Sequence, residues 1–214
     1  MLMIADRDLL VVEPTLFIDA AMVATTLLST ADGAVSGTVL TSAAADFESA
    51  GIGPGHVVRL IAFGSAAEII ERSDATSLEV SLPRADVDDD MIPPGDGEDL
   101  AISVPTFARI IAQAQHWALA ALGLESEHPT QPLDESAIIN PAPVRSLIAL
   151  RTIMMAFEQA AALLPDDLSL EARADLYRRR AAAAARQVAA LIDADGDGIP
   201  DATRRIDTIA FVRR

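Results

Sequence analysis

His56-Val-Val-Arg-Leu-Ile-Ala-Phe63, Ala66-Ala-Glu-Ile-Ile-Glu71 and Thr76-Ser-Leu-Glu-Val-Ser-Leu82 are short β-prone runs broken by Gly64 and by Ser73-Asp74. Val, Ile and Phe at this density, punctuated by Gly, Asp and Ser, read as strands joined by tight turns. Residues 34–41 have the same character, and the pattern runs out near Ile102. Residues 34–102 therefore read as a small β-barrel or β-sandwich module. Inside it, Gly51-Ile52-Gly53-Pro54-Gly55 precedes a strand rather than a helix, which makes it a turn and not a dinucleotide-binding loop. Residues 86–99 are acidic and rich in Pro and Gly, with no period that would bury one face. They read as a mobile, solvated loop, with a second metal site as the alternative.

On either side of the module the period is helical. Residues 15–29 read as a helix after Glu13-Pro14, with Leu16, Ala20, Val23 and Leu27 on one face. Phe107, Ile110, Ile111, Ala114, Ala118, Ala121 and Leu122 mark a helix over 105–123 that Gly123 ends. Pro129, Pro132, Pro141 and Pro143 make 125–142 an extended connection. The helix over 144–164 is apolar on most sides, so it belongs at the centre of a bundle or under neighbouring subunits. From Ser169, the residues Leu170, Ala174, Tyr177, Ala181, Ala184, Val188 and Leu191 form a coiled-coil-like seam, antiparallel to the preceding helix. Arg178, Arg179, Arg180 and Arg186 lie mostly off that seam, either as a solvated face or as an intersubunit contact. The expected fold is α+β: an antiparallel helical bundle (1–33 and 103–192) with the β module (34–102) inserted. Residues 193–214 form an Asp-rich loop and a C-terminal interaction tail.

The loop itself reads Asp193-Ala194-Asp195-Gly196-Asp197-Gly198-Ile199-Pro200-Asp201. Alternating carboxylates with a Gly at the turn are the pattern that wraps a hard cation such as Ca²⁺. Asp193, Asp195 and Asp197 would ligate through side chains, Ile199 through its carbonyl, and Asp201 directly or through water. Arg204 stands where an EF-hand has its bidentate Glu, so the site is incomplete by that standard, which implies weak or structural binding. The plainer reading is an Asp/Gly turn facing water. Beyond it, Ile206, Thr208, Ala210 and Val212 alternate with Ile209 and Phe211, a β-prone tail suited to pairing with a partner's sheet edge.

Net charge is −16, all sixteen basic residues are Arg, and Cys is absent. Residues 165–214 balance nine Arg with nine Asp and Glu, so the whole excess lies in 1–164. An acidic body repels phosphate, which argues against duplex binding and would suit a surface that DNA slides past, with solubility as the plainer explanation. Without Cys, disulfides and thiolate metal sites are excluded. Charge enters the N-terminal apolar run too early for a secretory signal, and no uninterrupted apolar stretch reaches about 18 residues. A soluble protein made in a cytoplasm is expected.

Catalytic constellations are missing from the sequence. His56, His116 and His128 are scattered, and there is no Gly-x-Ser-x-Gly elbow or Walker loop. His116 beside Trp117 is most simply a helix-surface residue. An enzyme holding Mg²⁺ or Mn²⁺ on its acidic loop would lack a partner base. No enzymatic activity is expected.

Ala190-Leu-Ile-Asp-Ala-Asp-Gly-Asp-Gly-Ile-Pro-Asp-Ala-Thr-Arg-Arg205, closing a helical hairpin and followed by a β-prone tail, resembles the head-to-tail connector or adaptor proteins of tailed bacteriophages and related prophage elements. Ser36-Gly-Thr-Val-Leu-Thr-Ser-Ala-Ala-Ala-Asp-Phe47, Ala50-Gly-Ile-Gly-Pro-Gly-His-Val-Val58 and Ser73-Asp-Ala-Thr-Ser-Leu-Glu-Val-Ser81 are similar to small β modules of phage virion proteins. The likeness touches most of the chain and rests on arrangement more than on any single residue. It implies a homo-oligomeric ring in the virion neck, commonly a dodecamer, between the portal protein and a tail or stopper protein. DNA would pass through without specific binding, and the family has no catalytic residues to carry over. The inserted module departs from the compact all-helical form of many such adaptors. The alternative is a calcium-dependent interaction module of a cellular protein, similar to a dockerin. Dockerins carry tandem Asp-rich loops and are exported, whereas this sequence has one such loop.

Overall fold

The structure, a computed structural model, describes residues 4–124 and 133–206. The chain opens with two short helices, α1 (Asp6–Val12) and α2 (Leu16–Asp19), and a 3₁₀ turn over Ala21–Val23. Six strands follow: β1 (Thr25–Ser36), β2 (Val39–Thr41), β3 (Val57–Leu60), β4 (Ser65–Arg72), β5 (Ser77–Ser81) and β6 (Gly97–Thr106). They close into a barrel in the order β1-β2-β5-β4-β3-β6, antiparallel at every junction, with β6 paired back onto β1. Closure leaves no free sheet edge around the barrel. Phe47, Ile52, Val58, Leu60, Leu78, Val80 and Ile102 fill its interior.

This overturns the expected fold class. The molecule is a mixed α/β protein built on a closed six-stranded barrel and, among the described residues, five helices, rather than an antiparallel helical bundle with a small module inserted. The difference originates at residues 15–29. Leu16, Ala20, Val23 and Leu27 have helical spacing, yet the helix breaks at Asp19 and the chain is a strand from Thr25 onward. Thr25 pairs with Thr106 and Leu28 with Val104, so the winning partner for this segment lies far along the chain. Strand preference depends on such cross-strand packing more than on local propensity. The β1–β6 register shifts at Gly33, where an added Cβ would sit 2.9 Å from Ile102 Cγ2 and 3.0 Å from the Leu100 carbonyl. A glycine is what lets the two strands approach there.

A second core lies between the barrel and the helices α3 (Ala108–Ala121), α4 (Pro141–Leu163) and α5 (Leu168–Gln187). Pro141 opens α4 at a position that needs no amide donor. Asp167 caps α5 by accepting from Ser169 N at 3.0 Å. By length and composition α4 is apolar enough to cross a bilayer. Here Leu147, Ile148, Ile153 and Phe157 are fully buried, with α4 packed against α3, α5 and α1. The α5 seam is real through Leu170, Ala174, Tyr177 and Ala181, but Leu191 is not on it. The helix stops at Gln187, and β7 (Ala189–Ile192) begins a hairpin with β8 (Ala202–Arg205).

Polar contacts tie the layers together. Arg173 on α5 donates to Asp19 at 2.7 Å, and the Tyr177 hydroxyl donates to Glu13 at 2.8 Å. Burial first, then the bond to Glu13, pushes the Tyr177 hydroxyl up to about 12. Asp6 accepts from the Phe107 amide at 2.8 Å just before α3; burial holds its carboxyl above the usual range although that bond and one from Thr106 pull it down. Glu68 on β4, fully buried, accepts from Arg7 on α1 and from Arg84 Nε at 2.7 Å. Arg84 also donates to the carbonyls of Val87 (2.9 Å) and Asp89 (2.6 Å), which anchors the acidic loop expected to be mobile.

Candidate functional site

The Asp-rich segment 193–201 is the turn between β7 and β8. Ile192 pairs with Ala202, and the Asp201 amide donates to the Ile192 carbonyl at 2.8 Å, so both ends of the turn are held. Asp193 organises its interior. Its two carboxylate oxygens accept from Gly196 N and Gly198 N, each at 2.7 Å. The Gly198 amide above all, assisted by Gly196, holds the Asp193 carboxyl below the usual carboxylate range. Gly196 and Gly198 adopt φ of +80° and +84° with open space around them. Backbone conformation is therefore what demands glycine here.

Asp193, Asp195 and Asp197 each bring one carboxylate oxygen within 4.8 Å of the others. Oxygens facing one another across a calcium ion lie at most about 5 Å apart, so this spacing fits a shared cation. Asp201 is not in that convergent set. Its Oδ2 accepts from Ala194 N at 2.7 Å and closes the base of the loop. Ile199 donates its amide to Asp197 at 2.7 Å while its side chain is exposed.

Arg204 has a different task from the EF-hand Glu whose position it occupies. Its Nη1 donates to the carbonyls of Leu122 (2.8 Å) and Gly123 (2.7 Å), at the C-terminal end of α3. Helix ends leave carbonyls unpaired and carry partial negative charge, which a guanidinium satisfies on both counts. The hairpin that carries the loop is thereby locked to α3. Asn140 locks its other side, accepting from Leu191 N at 2.7 Å and donating to the Ala189 carbonyl at 2.9 Å.

The expected interaction residues divide into groups. Arg178 is engaged within its own hairpin, with Glu158 at 2.8 Å and with Asp175. Arg180 stacks over the Tyr177 ring, 5.2 Å from its centroid. Arg179 and Arg186 are exposed and form no ion pair among the described residues. Of the tail, Ile206 packs against the helical core, and residues 202–205 pair with β7 of the same chain. Ile209 and Phe211 lie outside the described residues.

No family model, curated protein or solved structure matches this chain.

His56 keeps its ring nitrogen 3.0 Å from the Gly53 carbonyl, where it closes the glycine-rich turn before β3. His116 is exposed on α3, and His128 lies outside the described residues. Sequence reading missed the end of the α4–α5 hairpin. Leu163 (60% exposed) and Leu168 (73%) flank Leu164, also exposed, in a turn that presents all three to solvent. The signal was present in Leu163-Leu164-Pro165-Asp166-Asp167-Leu168: the turn residues sit among leucines that the seam spacing does not use.

Proposed function

We propose that this chain is a structural subunit of a tailed-phage virion neck, a head-to-tail connector that closes into a ring between portal and tail. The observation that carries the reading is the exposed leucine end of the α4–α5 hairpin. Three large apolar side chains at one tip, on a rigid two-helix arm packed into the core, form the kind of surface that is covered in an assembly. Arg179 and Arg186 lie on the same helix, α5, as cations with no ion pair among the described residues, in a chain of net charge −16. In a head-to-tail ring each would meet the acidic surface of the next copy. The acidic, Lys-free body suits a channel wall that DNA passes without sticking. Asp193, Asp195 and Asp197 supply a structural Ca²⁺ loop that stiffens the β7–β8 hairpin ahead of the tail.

Replacing Leu163 and Leu168 together with Glu tests the reading. Both side chains are solvent-exposed, so the subunit should fold with stability within about 0.5 kcal/mol per substitution. Phage carrying the pair should accumulate DNA-filled heads without tails. Normal yields of infectious tailed particles would remove the tip from the interface.

A further inference from the structure

Where α1, the barrel and α4 meet, Arg7, Arg84 and Arg145 line one cleft of about 450 Å³. The carboxylates on that lining are Glu68 and Asp8, so its balance is one net positive charge in a chain whose total is −16. Glu68 lies between two guanidiniums, and Asp8 accepts from Ala5 N at 2.8 Å and from Arg145 Nη2 at 3.5 Å. Both acids are therefore engaged.

Among the described residues, donor capacity remains on all three arginines. Arg7 uses Nε on Glu68 and Nη2 on the Arg84 carbonyl at 3.2 Å, leaving Nη1 without a hydrogen bond among the described residues. Arg84, its side chain 6% exposed, uses Nε and Nη1 and leaves Nη2. Arg145 leaves Nε and Nη1. None of these nitrogens is buried without a partner, so each still reaches solvent, and one bordering the cleft is an open position for an acceptor. The rest of the wall is mainly apolar, including Ile4, Pro54, Ile69 and Val87.

We infer that this cleft binds an organic carboxylate. The planar guanidinium fork matches a carboxylate in bidentate fashion, and the apolar wall accepts the body that carries it. One net positive charge complements a monoanion better than the near-dianionic phosphate. The source is either a free carboxylic acid or the terminal carboxylate of a peptide. The proposal is independent of the neck reading and stands or falls without it.

The test uses the whole chain and titrates it at fixed ionic strength with three probes: hexanoate, acetyl-Leu-Leu with a free carboxylate, and inorganic phosphate. The amide of the peptide is the control. Amide-proton NMR shifts around α1 and β4 report the site. Saturable binding of hexanoate, of the peptide acid or of both is expected, with the stronger of the two naming the source, and the peptide amide should bind at least about tenfold more weakly. Arg145→Gln, at a side chain 42% exposed and outside the buried Arg7–Glu68–Arg84 group, should keep the wild-type unfolding midpoint and weaken carboxylate binding by about tenfold or more. Absence of saturation with both acids at tens of millimolar would overturn the proposal. So would equal binding of acid and amide, unchanged affinity in Arg145→Gln, or phosphate binding as tightly as the carboxylates.

Discussion

Glu68→Gln should lower the stability of this protein out of proportion to the single oxygen-for-nitrogen change. Glu68 is fully buried and is the shared counter-charge for Arg7 and for Arg84, whose side chain is 6% exposed. Removing one member of a buried ion pair typically costs about 3–5 kcal/mol, because the remaining charge stays out of water without a partner. Two features place this case near the lower end. Gln still offers one acceptor oxygen, and Arg84 retains the Val87 and Asp89 carbonyls. A loss of about 3 kcal/mol is expected, and for a chain of this length each kcal/mol moves the midpoint by roughly 2–4 °C, so Tm should fall by about 6–12 °C. Urea unfolding followed by circular dichroism should show a lower midpoint with an unchanged m-value. The triple variant Arg7→Met, Glu68→Leu, Arg84→Met removes every charge at once and should recover part of the loss. A Tm within about 2 °C of wild type in Glu68→Gln would refute the view that this group clasps α1 to the barrel.

Asp195→Ala with Asp197→Ala should abolish Ca²⁺ binding to the 193–201 loop, read by isothermal titration; heat that persists in the double variant would place the ion elsewhere. Asp32, on β1, accepts from Ser42 Oγ at 2.6 Å, from Thr30 and from Ala44 N at 2.8 Å, which lowers its carboxyl from 3.8 to about 2. Its stabilisation is present above pH ~4 and lost as pH falls through about 2, so Asp32→Asn should show a shallower acid transition over that window. Asp6 carries the opposite sign: its raised pKa makes its contribution largest below the usual carboxylate range and smaller as pH rises through its folded value, a trend that Asp6→Asn should remove from the stability profile. Truncation after Ile206 should preserve cooperative unfolding, whereas truncation after Thr203 removes the Arg204 cap of α3 and should cost about 1.5–3 kcal/mol; equal stabilities by urea titration would show that the cap is idle.

Features with local causes were the ones legible in the sequence. The carboxylates of 193–201 sit within a few residues of one another, and the glycines that let them converge lie between them, so pattern alone brought Asp193, Asp195 and Asp197 together. The strands near Val57–Leu60 and Ser77–Ser81 are bounded by their own turn residues and could be read the same way. Distant causes were not legible. The strand state of Thr25 to Ser36 depends on β6, whose pairing residues lie some seventy positions away, while the local spacing of Leu16, Ala20, Val23 and Leu27 favoured a helix. Arg204 read as a defective ligand because its real partners, the carbonyls of Leu122 and Gly123, are separated from it by 82 and 81 residues. Glu68 looked like one more carboxylate in an acidic chain, and its burial follows from Arg7, 61 residues distant. The seam through Tyr177 continued in pattern to Leu191, but Asn140 pairs with the backbone at Ala189 and Leu191, favouring strand over helix there.

Direct imaging of the neck is the measurement that bears most closely on the proposed function. Free subunits can remain monomeric in dilute solution when their contacts become strong only after a portal raises the local concentration, so the particle is the right sample. Portal complexes or virions carrying this protein, imaged by electron cryo-microscopy, are predicted to show a closed ring of it at the neck. In that ring the α4–α5 leucine tip should be covered, and Arg179 and Arg186 should face the acidic surface of the next copy. A neck without such a ring, or a ring in which the leucine tip and both arginines remain in solvent, would contradict the account.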